Sequence, residues 1–106
     1  MSAPVRSAQV HRVFDTGRPL HAGRVVLFLA PGSGDSAVVA TRRVGGAVER
    51  NRARRILRAA WREVAPQVGK DNDAVLVARK AIVGAKAQDL VADMTELLRR
   101  REVVSA

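Results

Sequence analysis

The chain has 106 residues, 47% of them hydrophobic, which is enough for one domain with a single buried core that needs no staples. It has no cysteine, which excludes disulfides and thiolate metal sites, and its 19 basic residues against ten acids leave a formal net charge of +9. A pI near 11.7 points to a polyanionic partner, and no apolar run approaches the length needed to span a membrane.

The opening MSAPVRSAQVHRVF lacks the continuous apolar segment of a signal peptide, so the expectation is a soluble, cytoplasmic protein. Residues 1–8 are small and polar and are expected to fray. From Gln9 to Thr16, Val10, Val13 and Phe14 fall at i, i+3, i+4, which predicts a short helix ended by Gly17. Arg18 to Gly23, with Pro19 inside, reads as a turn or irregular lead-in.

Val25 to Ala30 (VVLFLA) is a β-branched and aliphatic run of strand length. PGSGDS, residues 31–36, is a loop by composition, and Ala37 to Thr41 reads as a second strand paired with the first in an antiparallel hairpin. Its end delivers Arg42 and Arg43 just ahead of Gly45 and Gly46, a pair that breaks regular structure. No Gly-Lys-Ser/Thr follows, so this is not a Walker loop.

A helix is expected from about Ala47 to Val64, closing before Pro66. Ala53, Ile56, Leu57, Ala60, Trp61 and Val64 make one apolar face, which assigns Trp61 to the core rather than to base stacking. At about 100° per residue, Asn51, Arg55, Arg58 and Arg62 project from the opposite side, with Arg54 beside them and Arg50 and Arg52 at its edges. Residues 42–62 hold eight arginines and one acid, Glu49, so the basic charge of the chain is concentrated here. A merely solvated face would mix signs, whereas planar guanidinium forks without acidic partners suit phosphates and base edges.

GKDND, residues 69–73, is a second loop, and Ala74 to Ala78 (AVLVA) a third strand, joined to the preceding one through a helix and therefore a parallel neighbour or near neighbour. Ala87, Leu90, Val91, Met94, Leu97 and Leu98 repeat the helical stripe, ending in Arg99, Arg100 and Arg101, where cations suit the helix dipole. Residues 102–106 are expected to fray. The order predicts an α+β two-layer sandwich, a small mixed sheet with helices on one face. The other face, carrying Phe28, is left open to a single strand of nucleic acid.

Catalytic side chains are not in evidence. Asp71 and Asp73 are the one close acidic pair but sit in a turn composition, and His11 and His21 lack a partner constellation.

TRRVGGAVERNRARRILR, residues 41–58, closely resembles the signature of the bacterial ribonuclease P protein subunit, a basic pair before a Gly-Asn-Ala-Val turn and an Arg-Asn-Arg helix. Val13-Phe14 followed by Gly17, the strands VVLFLAP, AVVATRR and AVLVARKA, and the leucine-bearing last helix fall in the family's order, so the resemblance covers about residues 9–101. It implies a ribosomal protein S5 domain 2-like fold with a left-handed βαβ crossover, and one RNA-binding domain over residues 1–106. The expected role is that of accessory subunit, one copy per catalytic RNA, in an endoribonuclease that removes the 5′ leader of precursor tRNA. The partners implied are ribonuclease P RNA and precursor tRNA, with Mg²⁺ held mainly by the RNA and no catalytic or metal-binding side chain in the protein.

Carried over by position, Arg50, Asn51, Arg52, Arg54, Arg55 and Arg58 would contact the catalytic RNA, with Arg62 continuing the same face. Phe14, Phe28, Arg42 and Arg43 would line or flank the leader cleft. Gly46 stands where the family usually has asparagine, Val10 where it often has phenylalanine, and the N-terminal segment is less basic than usual. A general basic RNA-binding or ribosomal-type module, or an autonomous nuclease, would share the composition without the processing role.

Overall fold

A computed structural model describes residues 7–105, with side chains over residues 10–100. The chain runs α1 (Ser7–Thr16), β1 (Arg18–His21), β2 (Val25–Pro31), β3 (Ser36–Val39), α2 (Ala47–Val68), β4 (Asn72–Ala78), a 3-10 turn at Lys80–Ile82, and α3 (Ala87–Ser105). Of the ends expected to fray, residues 1–6 and 106 lie outside the described residues, while residues 7–8 and 102–105 are helical in backbone.

The four strands form a mixed sheet in the order β1-β2-β4-β3. β4 takes the centre because NDAVLVA is buried on both faces, and it pairs antiparallel with β2 and parallel with β3. The parallel relation of β3 and β4 across a helix is as expected; the β2–β3 hairpin is not. β2 and β3 are separated by β4, and the segment between them arches over the start of that strand. Gly32 N–H donates to Asp71 O (2.8 Å) and Ala74 N–H to Asp35 O (2.9 Å). The antiparallel neighbour of β2 in sequence is instead β1, with Pro19 opposite Phe28 and His21 opposite Val26. Proline lacks a ladder donor, so its place on an edge strand costs the sheet nothing.

Alternation sorts the strands onto two faces. Val25, Leu27 and Leu29 of β2 and Ala74, Leu76 and Ala78 of β4 point to α2 and α3 and form the main core with Ala53, Ile56, Leu57, Ala60, Val64, Leu90, Met94, Leu97 and Leu98. Leu27, Leu57, Leu76, Leu90 and Met94 are fully buried, each contributing about 1.5–3 kcal/mol by removal from water. Trp61 packs at the edge of this cluster.

Two helices end later than their sequence suggests. α2 continues through Pro66 to Val68, and Gly69 N–H still reaches Ala65 O at 3.3 Å. The proline sits in the last turn, where a single missing bond to the carbonyl of Arg62 does not stop the helix. α3 extends to Ser105, so Arg99 and Arg100 do not cap its end but pair with Glu96 one turn back.

The opposite sheet face is shared rather than left wholly open. α1 lies across the end formed by the C-terminus of β2 and the start of β4, burying Val13, Ala30 and Val75, with Val10, Phe14, Phe28, Val39 and Val77 half-buried around them. Gly17 is required here by contact, since a Cβ at that position would fall 2.2 Å from Val13 O.

Candidate nucleic-acid interface

The apolar face of α2 fixes the orientation of its arginines. Ala53, Ile56, Leu57, Ala60 and Val64 are its buried residues, all on the stripe read from the sequence. Asn51, Arg52, Arg55, Arg58 and Arg62 are consequently exposed, and Arg50 and Arg54 are half-buried. Among the described residues no ion pair involves an arginine of α2, so their charge is not neutralised within the protein. Arg54 differs from the rest. Its guanidinium donates to Asn51 Oδ1 and to Ala40 O (3.5 Å), tying the helix to the end of β3 and orienting Asn51.

The turn from β3 into α2 is closed by Val44 N–H donating to Thr41 O (3.0 Å), with Val44 buried and Arg42 and Arg43 exposed. Gly45 has φ 150°, a conformation that L side chains rarely adopt, and a Cβ there would lie 3.1 Å from Glu49 Cβ. Gly46 is the N-cap, with φ −75° and ψ −173°, and without a side chain it leaves the first-turn N–H groups uncapped. An anion placed there would meet free donors at the positive end of the helix dipole.

The second surface lies on the sheet face that α1 only partly covers. Phe14 of α1 and Phe28 of β2 meet edge to face with ring centroids 4.8 Å apart, a preferred aromatic geometry. Strand register carries the apolar floor on from Phe28 to Val26, Val77 and Val39, since Val77 pairs with both Val26 and Val39. Beyond Val77 the floor runs into an open groove of about 700 Å³ lined by Thr41, Arg43, Val77, Ala78, Arg79 and Lys80. An aromatic and aliphatic floor leading to a basic rim can stack bases and hold the phosphates between them.

Of the residues singled out in the sequence for this cleft, Phe14 and Phe28 come together and Arg43 lines the basic end. Arg42 stands on the exposed turn outside the groove lining. Arg79 and Lys80 were legible only as a strand end. The signal that could have found them is two adjacent cations directly after an apolar run, which the sheet order brings beside Arg43.

The acids take structural parts. Asp73 is buried; its Oδ1 accepts N–H bonds from Ser33 (3.0 Å), Gly34 (3.1 Å) and Asp35 (2.9 Å), and its Oδ2 pairs with Arg12. Among the described residues no group of three or more His, Cys, Asp or Glu could hold a metal ion. Arg99 first, then Arg100, hydrogen-bond Glu96 and hold its carboxyl below the usual carboxylate value. No helix among the described residues is long and apolar enough to cross a membrane.

The family model described as Ribonuclease P matches residues 5–102. The chain belongs to the ribonuclease P protein family. The ribonuclease P protein component of Chloroflexus aggregans is 37% identical over 99 residues, covering 90% of this chain and 73% of the relative. That of Roseiflexus castenholzii is 37% identical over 100 residues, covering 91% and 82%. Among solved structures, the RNase P protein from Thermotoga maritima superposes with a TM-score of 0.75 at 21% identity, covering 93% of this chain and 97% of that one. The Staphylococcus aureus RNase P protein gives 0.74 at 17% identity, covering 92% and 93%. At these identities the likeness is one of fold, and it agrees with the mixed α+β sheet and three helices of this family member.

Proposed function

We propose that this chain is the protein subunit of a bacterial ribonuclease P, binding the catalytic RNA through the outer face of α2 and the 5′ leader of precursor tRNA in the cleft between α1 and the sheet. The observation that carries the reading is the α2 face itself. Arg52, Arg55, Arg58 and Arg62 are exposed and, among the described residues, have no acidic partner, on a helix whose other side is locked into the core. Arg50 flanks that face, and Arg54 holds Asn51 beside it. The leader would lie over Phe14 and Phe28 and reach the basic rim, where Arg43, Arg79 and Lys80 supply charge and Arg42 stands close by on the turn.

Hydrolysis is assigned to Mg²⁺ held mainly by the RNA. Among the described residues the carboxylates do not form a cradle for the ion: Asp73 is taken up by three amides and Arg12, and Asp71 is exposed beside it. The protein then contributes by neutralising phosphate charge and aligning the substrate, as one copy in a ribonucleoprotein of the cytoplasm. The test is reconstitution with a ribonuclease P RNA and precursor tRNA at low Mg²⁺. The reading requires stimulated cleavage at the mature 5′ end. RNA binding without stimulation would reduce the protein to a general basic RNA-binding module, and cleavage by protein freed of RNA would make it a nuclease in its own right.

A further inference from the structure

We infer that the Arg12–Asp73 ion pair sets the roll of α1 on the sheet, so that Arg12 is a positioning residue for Phe14 and through it for single-stranded RNA in the cleft. The inference rests on the cleft being the leader site.

Val13 points down into the sheet and is fully buried, while Arg12 and Phe14 flank it, each about 100° away around the helix. A helix seated on Val13, with half-buried Val10 one turn back on the same side, can still roll about that line of contact unless its flanks are held. On one flank Phe14 meets Phe28, an apolar contact that tolerates sliding. On the other, Arg12 donates from Nη1 to Pro31 O (3.1 Å) and from Nη2 to Asp73 Oδ2. Among the described residues no other side-chain hydrogen bond or ion pair joins α1 to the sheet.

The two acceptors sit on adjacent strands, at the last residue of β2 and the second of β4, so the guanidinium fork grips the sheet at two points. Asp73 is itself immobilised, because Oδ1 is held by the amides of residues 33, 34 and 35 and its side chain is only 5% exposed. That leaves Oδ2 aimed at Arg12. A chain of contacts therefore runs from the 33–35 turn through Asp73 and Arg12 to the rotation of α1 and the tilt of the Phe14 ring. A binding constellation has to be held to within about 0.5 Å and 10–20°, which a bidentate, partly desolvated arginine can do and an apolar contact alone cannot.

The pair can be broken from either side without disturbing the arginine face of α2. Arg12 is 42% exposed in its side chain, so Arg12→Ala removes the tether and leaves the Asp73 turn intact. Asp73→Asn keeps an oxygen for the three amides but presents an NH₂ group to the guanidinium, donor against donor. Arg12→Lys retains charge and a single contact.

The experiment reconstitutes the full chain with a ribonuclease P RNA and measures affinity for precursor tRNA and for mature tRNA lacking the leader. Their ratio is the readout. Arg12→Ala and Asp73→Asn should each lower that ratio about fivefold, the factor that an ion pair with one exposed partner supplies, and Arg12→Lys should recover part of it. Affinity for the RNA itself and its salt dependence should match the unmodified protein. Amide hydrogen exchange should quicken in residues 10–16 and not in α2. A ratio within twofold of the unmodified protein for Arg12→Ala overturns the inference, as does an equal loss of RNA affinity, which would mark a general folding role. If the unmodified protein itself fails to distinguish the two tRNAs, the leader reading falls and the inference with it.

Discussion

Removing charge at Arg52, Arg55 and Arg58 together is the sharpest test of the α2 face. All three side chains are exposed, none is paired with an acid among the described residues, and none contributes to the core, so the triple alanine variant should fold normally. Each arginine bound to a phosphate releases condensed counterions, so the slope of log K against log salt should flatten by about 0.7–0.9 per contact, or roughly two to three units for the three. Over a fourfold rise in salt, a slope change of two corresponds to about a 16-fold difference in how much affinity is lost. The assay is a filter-binding or fluorescence titration of ribonuclease P RNA between about 50 and 200 mM salt. A control triple variant, Arg18, Arg99 and Arg100 to alanine, removes the same formal charge away from α2, two of its members being already paired with Glu96. The reasoning fails if the α2 variant keeps the parental slope, or if the control flattens it equally, because net charge alone would then account for binding.

Stability responses test the local geometry. Gly46→Asn should raise the melting temperature, because Gly46 has a φ of −75° that any residue can adopt and a Cβ there meets only Glu49 carboxylate oxygens at 3.8 and 3.9 Å. The side-chain cap and the stiffer unfolded chain together are worth about 0.5–1 kcal/mol, or about 3–6 °C; a fall would refute the description of the turn. Pro66→Ala restores the backbone donor to Arg62 O at an exposed position and should move the urea midpoint upward by about 1 kcal/mol of stability at constant m-value. Glu96 should titrate below its ordinary 4.5 in a carboxyl-detected NMR experiment, since Arg99 and then Arg100 hydrogen-bond the ionised form. With the folded value depressed, the stabilisation from these pairs is present above pH 4.5 and fades as pH falls through the folded value; Arg99→Gln should shift the midpoint back toward 4.5.

What could be read from the chain beforehand followed the strength of local periodicity. α2 was legible in detail because a 3.6-residue stripe states both which residues are buried and which arginines are thereby turned outward; all five buried residues of the helix lie on that stripe. Resemblance, not pattern, put Phe14 and Phe28 on one cleft, since each aromatic alone looks like core, and the contact between their rings has no signature in the sequence. β1 was hidden because an edge strand has to satisfy only half a ladder, which lets Arg-Pro-Leu-His serve where a central strand could not. The pairing of β3 with β4 instead of β2 depends on which apolar run is buried on both faces, a competition between distant segments that the β2–β3 loop composition does not reveal. The Arg12–Asp73 pair joins positions 61 residues apart and has no local signature at all.

The same central strand serves both surfaces, and this is why so short a chain can offer two. Asp73, near the start of β4, organises the 33–35 turn and holds α1; Ala74, Leu76 and Ala78 face α3 and the helix α2 that carries the arginine face; Val75 is buried under α1 and Val77 floors the cleft; Arg79 and Lys80 follow directly as its basic rim. Because side chains alternate, a slip of one residue would exchange Leu76 for Val75 or Val77, sending the core to the cleft and Asp73 away from both Arg12 and the amides. The register is held against such a slip by Pro31 opposite Asn72 and Val25 opposite Ala78 along the full length of β2, and by Ser36 opposite Ala74 on the other side. The spatial relation between the α2 face and the cleft is thus set by the pairing of one seven-residue strand, while Arg54 with Asn51, and Phe14 with Phe28, also make contacts within the protein.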